Sequence, residues 1–147
     1  MNMKDFSDYI IDVANRKNIA ISNLQLQKVM FFTLRYALQN NIYTEDFVNQ
    51  FYDKKFLVWR YGPTIKDIYD EYIINGAEPL IESPKTTNYF NDTRIEDEIE
   101  KLLNTSIFKL VDVSHTDNHW IKNEQQIEGW RSDVEYSIDD LKNGDSV

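Results

Sequence analysis

Cysteine is absent from the 147-residue chain. That removes disulfides, thiolate nucleophiles, iron–sulfur clusters and cysteine-based zinc sites, and it fits a reducing compartment. Glycine numbers 4 and proline 3; there is no Gly-rich phosphate loop, and no G-x-S-x-G elbow presents a serine nucleophile. No apolar run approaches the roughly 20 residues that cross a bilayer. Asp5 and Asp8 stand where a signal peptide would carry cations and then an apolar stretch, so the cytosol is the expected location and no membrane partner is expected.

Histidine is scarce too, with 2 in the chain. His115 and His119 lie four apart, a spacing that places two imidazoles on one helical face in zinc proteases. The glutamate such an enzyme needs beside the first histidine is Thr116, and Asp117 and Asn118 disfavour a continuous helix there. A capping or core-bridging role is the ordinary reading of such histidines. Carboxylate pairs such as Asp112 with Asp117, or Asp139 with Asp140, are expected by composition alone and read as solvated faces. No catalytic residue, metal or cofactor is expected.

What is present is apolar and acidic. With 41% hydrophobic and 14% aromatic residues, the chain has enough to bury for a folded domain, and its length suits one. The net charge of −9 is uneven: residues 1–91 hold 10 Lys/Arg and 11 Asp/Glu, whereas residues 92–147 hold 6 and 14. A field of that sign repels phosphate backbones, and adjacent basic residues occur only at Arg16-Lys17 and Lys54-Lys55, so direct nucleic-acid binding is not expected. A basic protein partner suits it better.

The periodicity is mostly helical. Phe6, Tyr9, Ile10, Val13 and Ala14 form one stripe, ending near Asn18. Ser22 with Gln25 is a capping box, and Ile21 and Leu26 form its staple. The helix that follows carries Leu26, Val29, Met30, Thr33, Leu34 and Ala37, widened by Leu24, Phe31, Phe32 and Leu38, so it is expected to be central and nearly surrounded. Thr44 caps a short helix with Phe47, Val48 and Phe51. Phe56 to Trp59 reads as a strand or a buried extended segment. Pro63 fits a helix start, with Ile65, Ile68, Tyr69, Tyr72 and Ile73 repeating until Gly76. Residues 80–92 read as a surface loop. Thr93 with Glu96 opens a further helix, Ser106 another, and Ser137 with Asp140 a last turn. Trp120, Ile121, Ile127 and Trp130 are large enough to dock. The expected fold is mainly α: a compact bundle of about five to seven helices over residues 1–142, with a short β element near residues 56–60 and a polar tail at 143–147.

The most unusual stretch is Phe56 to Tyr69, where Trp59 and Tyr61 bracket Arg60 ahead of Gly62 and Pro63. An aromatic and arginine cluster at a rigid turn is what protein interfaces use as a hot spot; an aromatic plug under a tight turn is the structural alternative.

Three stretches together resemble the Panacea, or SocA-like antitoxin, family. ISNLQLQKVMFF, Ile21 to Phe32, is similar to its N-L-K-L-Q-K helix; VWRYGPTIKDIYDEY, Val58 to Tyr72, to its W-x-Y-G-P turn and helix; and LVDVSHTDNHW, Leu110 to Trp120, to its L-[ST]-H…W segment. Val113 stands where leucine is usual, His119 stands where proline often precedes the tryptophan, and residues between Trp120 and Ser137 have no counterpart. The resemblance implies a non-enzymatic, mostly helical antitoxin that binds and neutralises a protein toxin encoded beside it. Members also occur in prophages and mobile elements, and some present a bound toxin to a protease, so an adaptor role is implied as well. Leu24, Gln27, Lys28, Trp59, Tyr61, Gly62, Pro63, His115 and Trp120 are the matching positions, and Arg60 joins them as a partner-binding candidate.

Complementary charge speeds encounter and buried aromatics hold a partner. Toxin contact is therefore expected at exposed aromatic positions flanked by acids. The alternative is a phage or mobile-element inhibitor whose acidic surface imitates nucleic acid on a host or defence nuclease. Oligomeric state is left open.

Overall fold

A computed structural model of the chain describes residues 1–81 and 89–147. It is mainly α, with eight α-helices among the described residues: α1 (Met3–Arg16), α2 (Asn23–Gln39), α3 (Glu45–Phe51), α4 (Lys66–Tyr72), α5 (Thr93–Leu103), α6 (Ile107–Ser114), α7 (Asn118–Asn123) and α8 (Ile138–Lys142). Short 3-10 turns extend α4 over Ile73–Asn75 and α7 over Glu124–Gln126. No helix among the described residues is long and apolar enough to cross a membrane.

Helix starts follow local capping chemistry. Ser22 and Gln25 form a reciprocal box on α2, Ser137 and Asp140 do the same on α8, and Thr44 accepts from the Phe47 amide on α3. Asn2 and Asp5 form a further box on α1, a pattern the sequence reading passed over. Helix α5 is capped by Asp92 rather than Thr93: the Asp92 carboxylate accepts from the Arg94 amide and also receives the Arg94 guanidinium. Asn18 and Asn41 take positive φ just beyond α1 and α2, where the short amide side chain tolerates the left-handed region.

Helix α2 is the hub. It packs against α1, α4, α5, α6 and α8, and most of its length is buried, from Leu26 through Leu38. Ile21 and Leu26, the expected staple, are both fully buried. Leu24 departs from expectation: it is exposed and contributes to a surface cup described below. Within the core Phe6, Tyr9, Phe51 and Phe90 pack ring against ring at centroid distances of 5.0–6.4 Å. Phe90 thus carries a core side chain out of what reads as a surface loop; residues 82–88 of that loop, including Pro84, lie outside the described residues. In a second aromatic group, Phe32, Phe56 and Tyr136 surround Phe31 at 5.2–5.3 Å.

Two further differences have physical causes. Pro63 does not start a helix, because Thr64 pairs with Leu57 across a tight turn and holds the chain extended, so α4 begins at Lys66. The β element near residues 56–60 amounts to isolated bridges at Leu57, to Thr64 and to Glu135. The helix beyond the expected seven is α7, which opens one residue after Asp117 and carries Trp120 into the core while Ile121 stays exposed.

The polar tail is anchored. Arg35 of α2 is fully buried and pairs with Asp117 through both Nη groups at 2.9 Å. Its Nε donates to the Leu141 carbonyl at 2.7 Å, and Nη2 reaches the Asp140 carbonyl at 3.0 Å. Gln39 donates to the carbonyls of Lys142 and Gly144. Gly144 lies so close that a Cβ there would stand 2.3 Å from Asp117 Oδ1 and 2.6 Å from Arg35 Nη1. Burial pushes the Asp117 carboxyl above its usual range and the guanidinium pulls it back.

Removing one member of a buried ion pair strands the other. Arg35→Ala is expected to lower unfolding free energy by about 3–5 kcal/mol, read as a fall in the urea midpoint at unchanged m-value. Arg35→Ala combined with Asp117→Leu should recover part of that loss.

Candidate interaction site at the Trp59–Thr64 turn

The turn is built from short-range backbone needs and then clamped from three helices. Gly62 donates to the Trp59 carbonyl at 3.0 Å, and Leu57 and Thr64 exchange both backbone hydrogen bonds. Gly62 sits at φ +96°, and a Cβ there would come 2.7 Å from Ser114 Oγ and 3.0 Å from Lys28 Cε. Only glycine meets both the conformation and the space.

From α2, Gln27 accepts the Ile65 amide at 2.8 Å, and Lys28 Nζ donates to the Pro63 carbonyl at 2.8 Å and to Thr64 Oγ1 at 3.2 Å. Lys28 is 0% exposed and no carboxylate of the described residues contacts it; burial lowers its ammonium to about 7. A neutral amine still has a hydrogen for each of its two acceptors, so the site needs no counter-charge. His115, the residue after α6, donates from Nε2 to the Arg60 carbonyl at 2.7 Å and stacks on Trp120 at 3.9 Å. Trp120 of α7 donates from Nε1 to the Trp59 carbonyl at 3.0 Å.

The two histidines therefore do not share a helix face. His115 belongs to the end of α6, while His119 lies in α7, donates to the Glu135 carbonyl at 2.9 Å and meets Tyr136 edge-on. Each ring bridges two segments of backbone. Among the described residues no three His, Asp or Glu side chains gather as a metal site would require.

A second extended segment, absent from the sequence reading, runs beside the first. Val58 donates to the Val134 carbonyl, Arg60 to that of Trp130, and Tyr136 to that of Phe56, each at 2.9 Å. This segment turns at Gly129, φ +68°, between Glu128 and Arg131, which brings Trp130 against Trp59 at 5.2 Å and Tyr69 at 5.9 Å. Arg131 lies over the Trp59 and Trp130 rings at 4.4 and 4.3 Å.

Together these pieces enclose an open cup of about 510 Å³, lined by Leu24, Trp59, Arg60, Tyr61, Thr64, Tyr69, Gly129 and Trp130. Tyr61 is 57% exposed and Trp130 39%. The candidate residues thus divide. Gln27, Lys28, Gly62, Pro63, His115 and Trp120 are frame, holding or forming the turn, while Leu24, Trp59, Arg60 and Tyr61 are cup wall. Tyr69, Gly129 and Trp130 complete the wall; the one sequence signal for the last two was a Gly-Trp-Arg run similar in composition to Trp-Arg-Tyr-Gly.

The cup lining itself holds Arg60 and no acid, with Asp70 and Glu128 next to lining residues in the chain. Five of the C-terminal acids serve the fold: Asp92 caps α5, Glu96 and Glu100 pair with Arg16 and Lys17, Asp117 holds Arg35 and Asp140 caps α8. The exposed Tyr89 and Phe108 lie outside the cup lining.

No family model, no curated protein and no solved structure matches the chain.

Because the Lys28 amine titrates near 7 when folded and near 10.4 when unfolded, unfolding takes up a proton between those values and stability rises with pH there. Between pH 7 and 9 the unfolding free energy is expected to climb by about 1 kcal/mol per unit relative to Lys28→Met, whose profile lacks this component. Urea titrations of the two proteins at matched pH values measure the difference.

Proposed function

We propose that this chain is a non-enzymatic binding protein of the antitoxin kind, which captures a protein toxin and neutralises it by covering its active or target-binding surface. The observation that carries the reading is the aromatic cup. Tyr61, Trp130 and Leu24 stand exposed around it, with Tyr69 half-buried and Trp59 buried as its floor, and the turn that carries Trp59 and Tyr61 is fixed at its backbone by Gln27, Lys28, His115 and Trp120.

Exposed aromatics on rigid backbone are the physical profile of an interface hot spot, since little ordering entropy remains to be lost when a partner docks. The three sequence stretches similar to the Panacea family support the antitoxin part, because the turn and its clamps are made from them. The acidic surface has a secondary place, as a means of steering a cationic partner toward the cup.

The test is co-expression with the product of the neighbouring reading frame. Wild-type protein is expected to permit growth that the neighbour alone prevents. The Tyr61→Ala/Trp130→Ala variant should lose protection, because hot-spot truncations cost about 2 kcal/mol or more each, and Tyr61→Ala alone, which removes a ring 57% exposed, should weaken protection with its unfolding midpoint near that of the wild type. Continued lethality beside well-expressed wild-type protein would remove the antitoxin reading, and full protection by the double variant would remove the cup from it.

A further inference from the structure

Charge at the cup runs against the charge of the chain. The protein carries −9 overall, yet no carboxylate is among the residues lining the cup, and the one charged side chain there is Arg60. Asp70, next to the lining residue Tyr69, is already held between Lys66 at 2.8 Å and Arg131 at 3.7 Å. Arg131 lies over Trp59 and Trp130, so the ring electrons that would attract a visiting cation already face a guanidinium.

Arg60 itself is poised. Its amide donates to the Trp130 carbonyl, its own carbonyl accepts from His115, and its Nε donates to the Gly129 carbonyl at 2.9 Å. Both Nη groups remain without a partner among the described residues. A guanidinium fixed at its inner edge and open at its outer edge offers the fork geometry that a carboxylate fits in bidentate fashion.

Building on the reading as a protein-binding domain, we propose that the cup takes an acidic–apolar segment of the partner protein. An aliphatic or proline side chain of that segment sits against Tyr61, Trp130 and Leu24, and a neighbouring Asp or Glu pairs with the outer edge of Arg60. The contact is opposite in sign to the one that net charge suggests: the acidic half steers the partner, and the cup grips a local acid on it. Aromatic-walled grooves of this kind bind extended segments through one or two side-chain anchors.

The probe is a random short-peptide library selected on immobilised full-length protein, with Tyr61→Ala/Trp130→Ala as the subtraction control. Wild type is expected to enrich peptides with Asp or Glu beside or one residue from an apolar anchor. In fluorescence anisotropy the best of these should bind Arg60→Ala and Arg60→Gln about tenfold more weakly or worse. Selection on Arg60→Glu should turn toward Lys and Arg.

Peptides without acidic bias, an unchanged selection on Arg60→Glu, or no enrichment beyond the control would each overturn the proposal. So would sedimentation showing a wild-type dimer that Tyr61→Ala dissolves, since a second copy would then be the occupant. Acidic peptides selected by a protein that fails to protect against the neighbouring gene product would remove the antitoxin reading alone and leave the acidic–apolar specificity standing.

Discussion

Two basic side chains of α2 are taken out of water, and the parts of the molecule outside the helical core are arranged to satisfy them. Lys28 and Arg35 lie seven residues apart, about two helical turns, and both are fully buried. A buried cation without acceptors is prohibitively costly, so each position dictates what must come to it. The Pro63 carbonyl and Thr64 hydroxyl come to Lys28; Asp117 and the carbonyls of the C-terminal segment come to Arg35. Such interactions specify an arrangement more surely than they add stability.

The two cations are met in different ways, with different consequences. Arg35 cannot lose its proton, and a carboxylate accompanies it into the core. Among the described residues Lys28 meets only neutral oxygens, and it can relinquish its proton once buried. The first solution ties down the chain terminus. The second holds the turn that carries Trp59, Arg60 and Tyr61 without placing a carboxylate beside it, which leaves the positive character of the cup rim intact.

On the proposed reading, frame and contact surface are separate. Gln27, Lys28, His115 and Trp120 act on backbone atoms of the turn, so they set where the cup is and how rigid it is. What touches a partner comes from Leu24, Arg60, Tyr61 and Tyr69, and from the stretch around Gly129 and Trp130. The resemblance to antitoxin motifs covers the frame and only part of the wall, an arrangement in which the wall can change its partner while the frame stays as it is.

The helices were legible in the sequence because their causes are local. A capping box spans three residues and an amphipathic stripe repeats within a turn, so Ser22 with Gln25, Ser137 with Asp140 and the broad apolar surface of α2 could be read directly. The oddity of the Trp59–Pro63 stretch was legible as well, as was the ordinary bridging role of both histidines. Leu24 was read both as part of the broad apolar surface of α2 and as a partner-binding candidate, and Ile121 as large enough to dock, since periodicity marks a face without saying whether a neighbour arrives to cover it. Nothing local marked Lys28 or Arg35 as buried, because their acceptors lie 35 and up to 110 residues away. Composition and near-neighbour spacing by themselves determined a mainly α domain with a central second helix. Only the tertiary structure decided which cations are buried, which aromatics remain open and that Trp130 completes the cup, because those outcomes rest on contacts between segments that no local pattern brings together.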